Sequence, residues 1–303
     1  MAKQPRYGSS SRAIVRRETI SAYLFLLPCL VFFIGFVVIP MVMCLVTSFF
    51  NYTMTDFAFV GFKNYIELFT DPVFIKSLWN TILIVVVSVP AVMVFSLWVG
   101  SSIYQMKEIP RSIYRCIMYL PVVTGTVAVT VVWKWMFNKY TGLFNYVLGE
   151  AGIIEQNISW LGDEKFAIWC IIMILFTTSI GQPIVLYTAA LGNVDQSLVE
   201  AAEVDGATNL QTFWKIKWPS IMPTTLYILV ITTINSFQCF ALIQLLTSGG
   251  PNNSTSTIMY YIYYEAFKLN RYGYGNAMGI ILAIIIAIFS AIQFKVTGSG
   301  NDN

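Results

Sequence analysis

The chain has 303 residues, of which 57% are hydrophobic and 11% charged, with a net charge of +3 and a mean hydropathy of +0.68. An ordinary soluble domain carries about 25% charged residues, so this composition excludes a water-facing globular surface and reads as an integral membrane protein. The small net charge argues against a nucleic-acid partner, and the absence of histidine removes the commonest neutral-pH general base and metal ligand. No metal site is expected. Cys29, Cys44, Cys116, Cys170 and Cys239 are scattered through apolar stretches without a C-x-x-C pair and read as small core hydrophobes.

Runs free of Asp, Glu, Lys and Arg cover 19–55, 77–106, 116–133, 166–194, 218–264 and 272–294. A helix needs about 20 apolar residues to cross the hydrocarbon core, and a lipid-exposed backbone must satisfy its own hydrogen bonds. Each run is therefore predicted to hold one helix, over 20–46, 78–104, 114–136, 167–190, 221–246 and 275–295. Prolines at 28, 40, 90, 121, 183 and 223 fall within or beside these spans and predict kinks. The first run is too long for a cleaved signal peptide and has no A-x-A site, so it is expected to remain as a helix. The fold class expected is an all-α, six-span membrane protein.

Lys and Arg set the orientation. With the N-terminus inside, the inner side holds eleven: Lys3, Arg6, Arg12, Arg16, Arg17, Lys107, Arg111, Arg115, Lys215, Lys217 and Lys295. The outer side keeps seven, with eight of the fifteen acids, so N-in, C-in is the better assignment. Trp133 and Trp135 flank Lys134 at the outer end of the third span, as an interfacial belt would.

Between the fourth and fifth spans, residues 191–220 carry helix signals of their own. Ser197 with Glu200 reads as a capping box opening a helix through Val204, and Gly206 supplies the left-handed residue that ends it. Thr208 with Gln211 reads as a second capping box, opening a short helix that Pro219 and Pro223 close. Ala201 and Ala202 make a smooth patch, and Asp195, Glu200, Glu203 and Asp205 put acids on the face that normally carries Lys and Arg. An amphipathic connector would share this periodicity; the patch and the acids favour a helix offered to a groove on a partner.

This stretch, Glu200-Ala201-Ala202 followed by Gly206-Ala207, Ile216 and Pro219, resembles the EAA loop of ABC-importer permeases, the binding-protein-dependent transport inner-membrane component family. Asp205-Gly206-Ala207 and Phe213-Trp214-Lys215-Ile216 are similar to its carbohydrate-uptake branch, with Trp218 where the family usually has Leu. Residues 59–65 with Asn80-Thr81 resemble the first outer segment of sugar permeases, Leu120-Pro121, Trp133-Lys134-Trp135 and 142–145 resemble their third span and the loop after it, and 247–251 and 272–275 are similar to the last outer loop of the maltose-type first permease. The resemblance implies a basic cytoplasmic N-terminus over 1–19, an ABC transmembrane domain over 20–296 with its loop at 193–223, and a tail over 297–303.

It further implies a bacterial cell-membrane subunit without catalysis or cofactor of its own. A second homologous permease, an ABC ATPase dimer that binds ATP, and an extracellular solute-binding protein would complete the importer. Glu200, Ala201, Ala202, Asp205, Gly206 and Ala207 would couple ATP hydrolysis to movement of the spans. For the substrate path, polar residues within spans normally face protein or water. Thr178 and Gln182 in the fourth span, and Thr233, Asn235, Ser236 and Gln238 in the fifth, are the candidates. A neutral hydroxyl- and amide-rich lining suits a sugar, with an oligosaccharide the favoured class, although the same side chains also join helices to one another. The alternative is a secondary transporter driven by an ion gradient; it is disfavoured by the lack of acidic or His residues within spans and of an internal repeat.

Overall fold

The computed structural model describes residues 9–298. Lys3, Arg6 and the tail from 299 onward lie outside the described residues. The chain opens with α1 (Ser9–Phe33), passes through a π turn at Ile34–Val38 and continues as α2 (Ile39–Thr47). A hairpin follows, β1 (Phe50–Tyr52) against β2 (Phe57–Phe59), in antiparallel register with Phe50 opposite Phe59. The all-α expectation is thus amended by one small hairpin. Next come α3 (Lys63–Thr70), α4 (Pro72–Ile103), α5 (Glu108–Val123), α6 (Thr126–Met136), α7 (Leu143–Glu150), α8 (Glu164–Ser179) and α9 (Gly181–Gly192). The chain continues with α10 (Gln196–Val204), α11 (Asn209–Thr212), a π turn at Phe213–Lys217, α12 (Trp218–Phe237) and α13 (Ala241–Leu246). It ends with α14 (Ile258–Tyr263), a π turn at Tyr264–Lys268 and α15 (Tyr272–Gly298).

Among the described residues, four helices are long and apolar enough to cross a membrane: Glu18–Thr47, Pro72–Ile103, Asn209–Leu246 and Tyr272–Thr297. Two bent pairs, α5 with α6 at 95° and α8 with α9 at 41°, pass the same test together. In the third span, expected over 114–136 with a kink at Pro121, the bend is a full break between α5 and α6. Pro121 removes a backbone donor from the last turn of α5, and Thr124 and Gly125 are extended, with ψ of 126° and 140°. The fifth span is corrected too. Pro219 does not close a separate helix: α11 runs through the π turn into α12. Pro40 and Pro219 each stand two residues beyond a π turn, where the wider winding relieves the clash between the proline ring and the carbonyl four residues back.

Helix α4 is the central mast. Ser77, Thr81, Ser88 and Ser96 lie along it, all fully buried, at spacings that keep them near one helical face. Ser77 bonds Ser256 at 2.8 Å, Thr81 accepts from the Ile258 amide at 3.0 Å, Ser88 meets Ser236 at 3.2 Å, and Ser96 donates to the Ile180 carbonyl at 3.3 Å. Small hydroxyls let neighbouring helices approach and still satisfy themselves where no water is present. Isoleucines fill the spaces between, with Ile84, Ile171, Ile174 and Ile243 completely inaccessible. The apolar window of the first long helix, by contrast, buries none of its residues against the rest of the chain.

The two ends of the bundle carry different polar clusters. At one end Asn145 holds the segment between α6 and α8: its Nδ2 donates to the carbonyls of Lys139 and Ile158, and its Oδ1 accepts from the Ile158 amide and the Trp160 Nε1. On the same side Arg271 pairs with Glu67 and Glu265, and Asp71 accepts from the hydroxyls of Tyr261 and Tyr274. At the other end, Tyr104, Arg111 and Lys217 meet.

Candidate functional site: a coupling segment and an uncharged cleft

The segment between α9 and α12 is built from local rules that the sequence largely declares. Asp195, and not Ser197, is the N-cap of α10, accepting from the Ser197 amide at 2.9 Å and the Ser197 hydroxyl at 2.8 Å. The Ser197–Glu200 capping box is corrected accordingly: either residue type can cap, and the aspartate lies where its carboxylate reaches the first free amides. Those bonds, the Ser197 hydroxyl first, hold the exposed Asp195 carboxyl below its ordinary pKa. At the other end, the Gly206 amide donates to Glu203 O at 3.1 Å and the Ala207 amide to Ala202 O at 2.9 Å. This is a Schellman closure, which requires a left-handed residue at the position of Gly206; its φ is +80°. The Thr208–Gln211 capping box is present in both directions.

The segment is anchored through Val199, 4% exposed, which turns its other side to the surroundings. Glu200, Ala201, Glu203, Asp205 and Gly206 are exposed, and Ala202 and Ala207 are half-buried. None of the four acids has an ion-pair partner among the described residues. Sequence reasoning missed the apolar part of this surface: Val204 is 88% exposed, with Leu210, Trp214 and Leu198 also open. An apolar patch rimmed by charge marks a contact with a partner protein or with the membrane.

The second feature is a cleft among α5, α8, α9 and α12. It encloses about 140 Å³, and its polar lining is Thr178, Ser179, Gln182, Tyr227, Thr232 and Asn235. A second cavity adjoins it through the shared Val122 and Thr178, and adds Thr124, Thr126 and Gln238. No charged side chain lines either cavity. Both helix breaks open here. Thr124 and Thr126 flank Gly125 in the α5–α6 bend, and Thr178 to Gln182 surround the α8–α9 bend. Non-helical backbone at membrane depth is tolerated where it lines a cavity, and broken helices commonly frame transport sites.

Four of the six path candidates, Thr178, Gln182, Asn235 and Gln238, line these cavities. Thr233 and Ser236 do not, and are corrected to helix-joining roles. Thr233 is fully buried and accepts from Gln293 at 2.7 Å, and Ser236 is buried against Ser88. Tyr227, half-exposed in the cleft wall, was not anticipated; it lies eight residues before Asn235 on α12 and so near the same face.

The fold and these two features define a multi-pass helical membrane protein with an uncharged cleft and a capped, largely exposed segment between α9 and α12. The chain belongs to the binding-protein-dependent transport system inner membrane component family, whose match spans residues 72–296. It is 31% identical over 293 residues to the probable ABC transporter permease protein YurN of Bacillus subtilis, covering 95% of this chain and all of that one. It is 30% identical to the arabinooligosaccharides transport system permease protein AraP of the same organism, covering 96% and 93% of the two chains. Its fold matches a chain of a bacterial ABC transporter involved in the import of the acidic polysaccharide alginate, with a TM-score of 0.81, 23% identity, and coverage of 97% and 100%.

Proposed function

We propose that this chain is a six-span, N-in, C-in permease subunit of a bacterial ABC importer, moving a sugar, an oligosaccharide in the favoured case, across the cell membrane. The bent pairs α5–α6 and α8–α9 count as one span each in this reading, with 1–19 and 297–303 as inner ends. Its partners are a second homologous permease, a dimeric ABC ATPase that binds and hydrolyses ATP, and an extracellular solute-binding protein. The chain supplies path and coupling, with no catalysis or cofactor of its own.

The observation that carries the reading is the docking face: a Schellman-closed, doubly capped segment showing acids beside Val204 and Leu210, at the head of a helix that leads directly to the cleft. In our reading Glu200, Ala201, Ala202, Asp205, Gly206 and Ala207 sit in the ATPase groove. Because α11 is continuous with α12, a push on the segment moves Tyr227, Asn235 and Gln238 as one body. ATP binding would close the ATPase dimer, draw the loops of the two permeases together and turn the path outward; hydrolysis would reset it. The uncharged lining favours a neutral sugar, whose hydroxyls take the amides of Gln182, Asn235 and Gln238 and whose ring face stacks on Tyr227. The oligosaccharide named for AraP supports that class.

The test is uptake of radiolabelled oligosaccharides by vesicles holding the purified complex and saturated binding protein. Uptake that follows enclosed ATP and ignores imposed proton and sodium gradients is expected. Uptake by the chain alone, driven by either gradient, would establish the secondary-transporter alternative.

A further inference from the structure

Tyr104 is the C-cap of α4, and four things converge on it. Its hydroxyl accepts from Lys217 Nζ at 2.7 Å, and the Lys217 ammonium stands 5.4 Å from the centre of the Tyr104 ring. The Gln105 amide donates to the same hydroxyl at 2.6 Å. The backbone carbonyl of Tyr104 accepts from Arg111 Nη1, in the first turn of α5, at 3.0 Å. Tyr104 also packs, with Phe213, Trp218 and Val194, on the buried cluster of Tyr187, Leu191, Ile221 and Ile228.

Lys217 is the last residue of the π turn through which α11 becomes α12. The bond to Tyr104 spans 113 positions of sequence, so it joins the docking segment to a corner, α4–α5, that the chain reaches by a wholly separate route. That corner bears on the cleft, because Val122 near the far end of α5 lines both cavities. With Nζ 2.7 Å from the hydroxyl and 5.4 Å from the ring centre, the ammonium lies on the line of the Tyr104 C–O bond, so the link is a charge-assisted hydrogen bond, stronger than a neutral one.

We infer that Lys217, Tyr104 and Arg111 form a latch that carries movement of the docking segment across to α5, so that both walls of the cleft move together. Without it, the push delivered through α12 leaves the α5 wall behind. Lys217 is thus a positioning residue for transport, acting through Tyr104. This inference rests on the importer reading.

The test uses the assembled complex in vesicles and the native Cys116, exposed on α5, in a Cys29→Ser background that removes a second exposed thiol. ATP-driven uptake by the parent protein is established first; its absence would count against the importer reading itself. With uptake present, addition of ATP is expected to change the rate at which a membrane-permeant maleimide labels Cys116. Lys217→Met should abolish that change and lower uptake per ATP hydrolysed about tenfold, the order expected for losing a hydrogen bond to a charged group, with normal yield of every subunit. Tyr104→Phe, which keeps the ring packing but removes the accepting hydroxyl, should match Lys217→Met, and Lys217→Arg should restore both readings. The latch is overturned if Lys217→Met keeps the ATP-dependent labelling and full uptake per ATP. It is overturned equally if that variant loses the ATPase from the purified complex, which would make the contact a static prop, or if ATP leaves Cys116 labelling unchanged in the transporting parent.

Discussion

Gly206 allows strain within the chain to be separated from contact with a partner. Its φ of +80° is costly for any residue with a Cβ, by about 1 kcal/mol. A Cβ built there meets no heavy atom within 4 Å, so a Cβ itself adds no steric penalty within this chain. Gly206→Ala and Gly206→Arg should therefore destabilise the isolated subunit equally and slightly, as read by thermal unfolding in detergent. In the assembled importer they should part company. Alanine should keep most of the uptake per ATP hydrolysed, whereas arginine places a charge under a docked surface, and burying an unpaired charge costs several kcal/mol. A drop of at least about tenfold in uptake per ATP is expected, since tenfold needs only about 1.4 kcal/mol; Ala202→Arg should behave likewise. If alanine and arginine gave the same uptake per ATP, or Gly206→Arg transported unchanged, nothing would be docked at Gly206 and the coupling role would fail.

Other outcomes follow from the packing. Asn145→Ala removes an amide that serves both strands of the loop, and should cost about 3 kcal/mol or more in stability; unfolding followed by a thiol-reactive dye suits the measurement, because Cys170, which donates to the Trp160 carbonyl, is buried. A Cβ at Gly181 would stand 2.6 Å from Met118 O and 2.8 Å from Val122 Cγ2, so Gly181→Val should push α5 off α9, costing about 1–3 kcal/mol as overpacking does, and should impair uptake more than Gly192→Ala, a position with open space. Burial raises the pKa of Asp71, but the Tyr261 and Tyr274 hydroxyls and the amides of Val73 and Phe74 outweigh it and leave the carboxyl below its ordinary value. A depressed carboxylate stabilises the fold above the unfolded pKa of about 3.9 and ceases to do so as pH falls through the folded value. The gap in melting temperature between the parent and Asp71→Asn should accordingly be constant near neutrality and shrink below about pH 4. Burial, against the pull of Arg271 and Tyr261, raises the neighbouring Glu265, so its ionisation acts in the opposite sense, its contribution fading as pH rises.

What was legible in the sequence follows the range of the interaction that decides each feature. Thr208 with Gln211 and the glycine at 206 act within four residues, and the structure holds them as read. The cap of α10 was misplaced by two residues because Asp195 and Ser197 are equally good caps, and only the path of the chain out of α9 chooses between them. The break between α5 and α6 left no trace in hydropathy, since Thr124 and Gly125 interrupt nothing apolar; Pro121 with Gly125 was the signal available. In α12 the polar residues were visible but their faces were not. A 3.6-residue period sends Thr233 and Ser236 to neighbouring helices and Asn235 to the cleft, a distinction that composition cannot draw where the helix is apolar all round. The Lys217–Tyr104 bond joins positions 113 apart and has no local signature.

The most direct test of the central claim is co-purification. The tagged chain would be extracted from its native membrane in mild detergent and its companions identified by mass spectrometry. A second multi-pass permease and an ABC ATPase are predicted to come with it in stoichiometric amounts. A chain that emerges alone, intact, and transports by itself after reconstitution would contradict that claim.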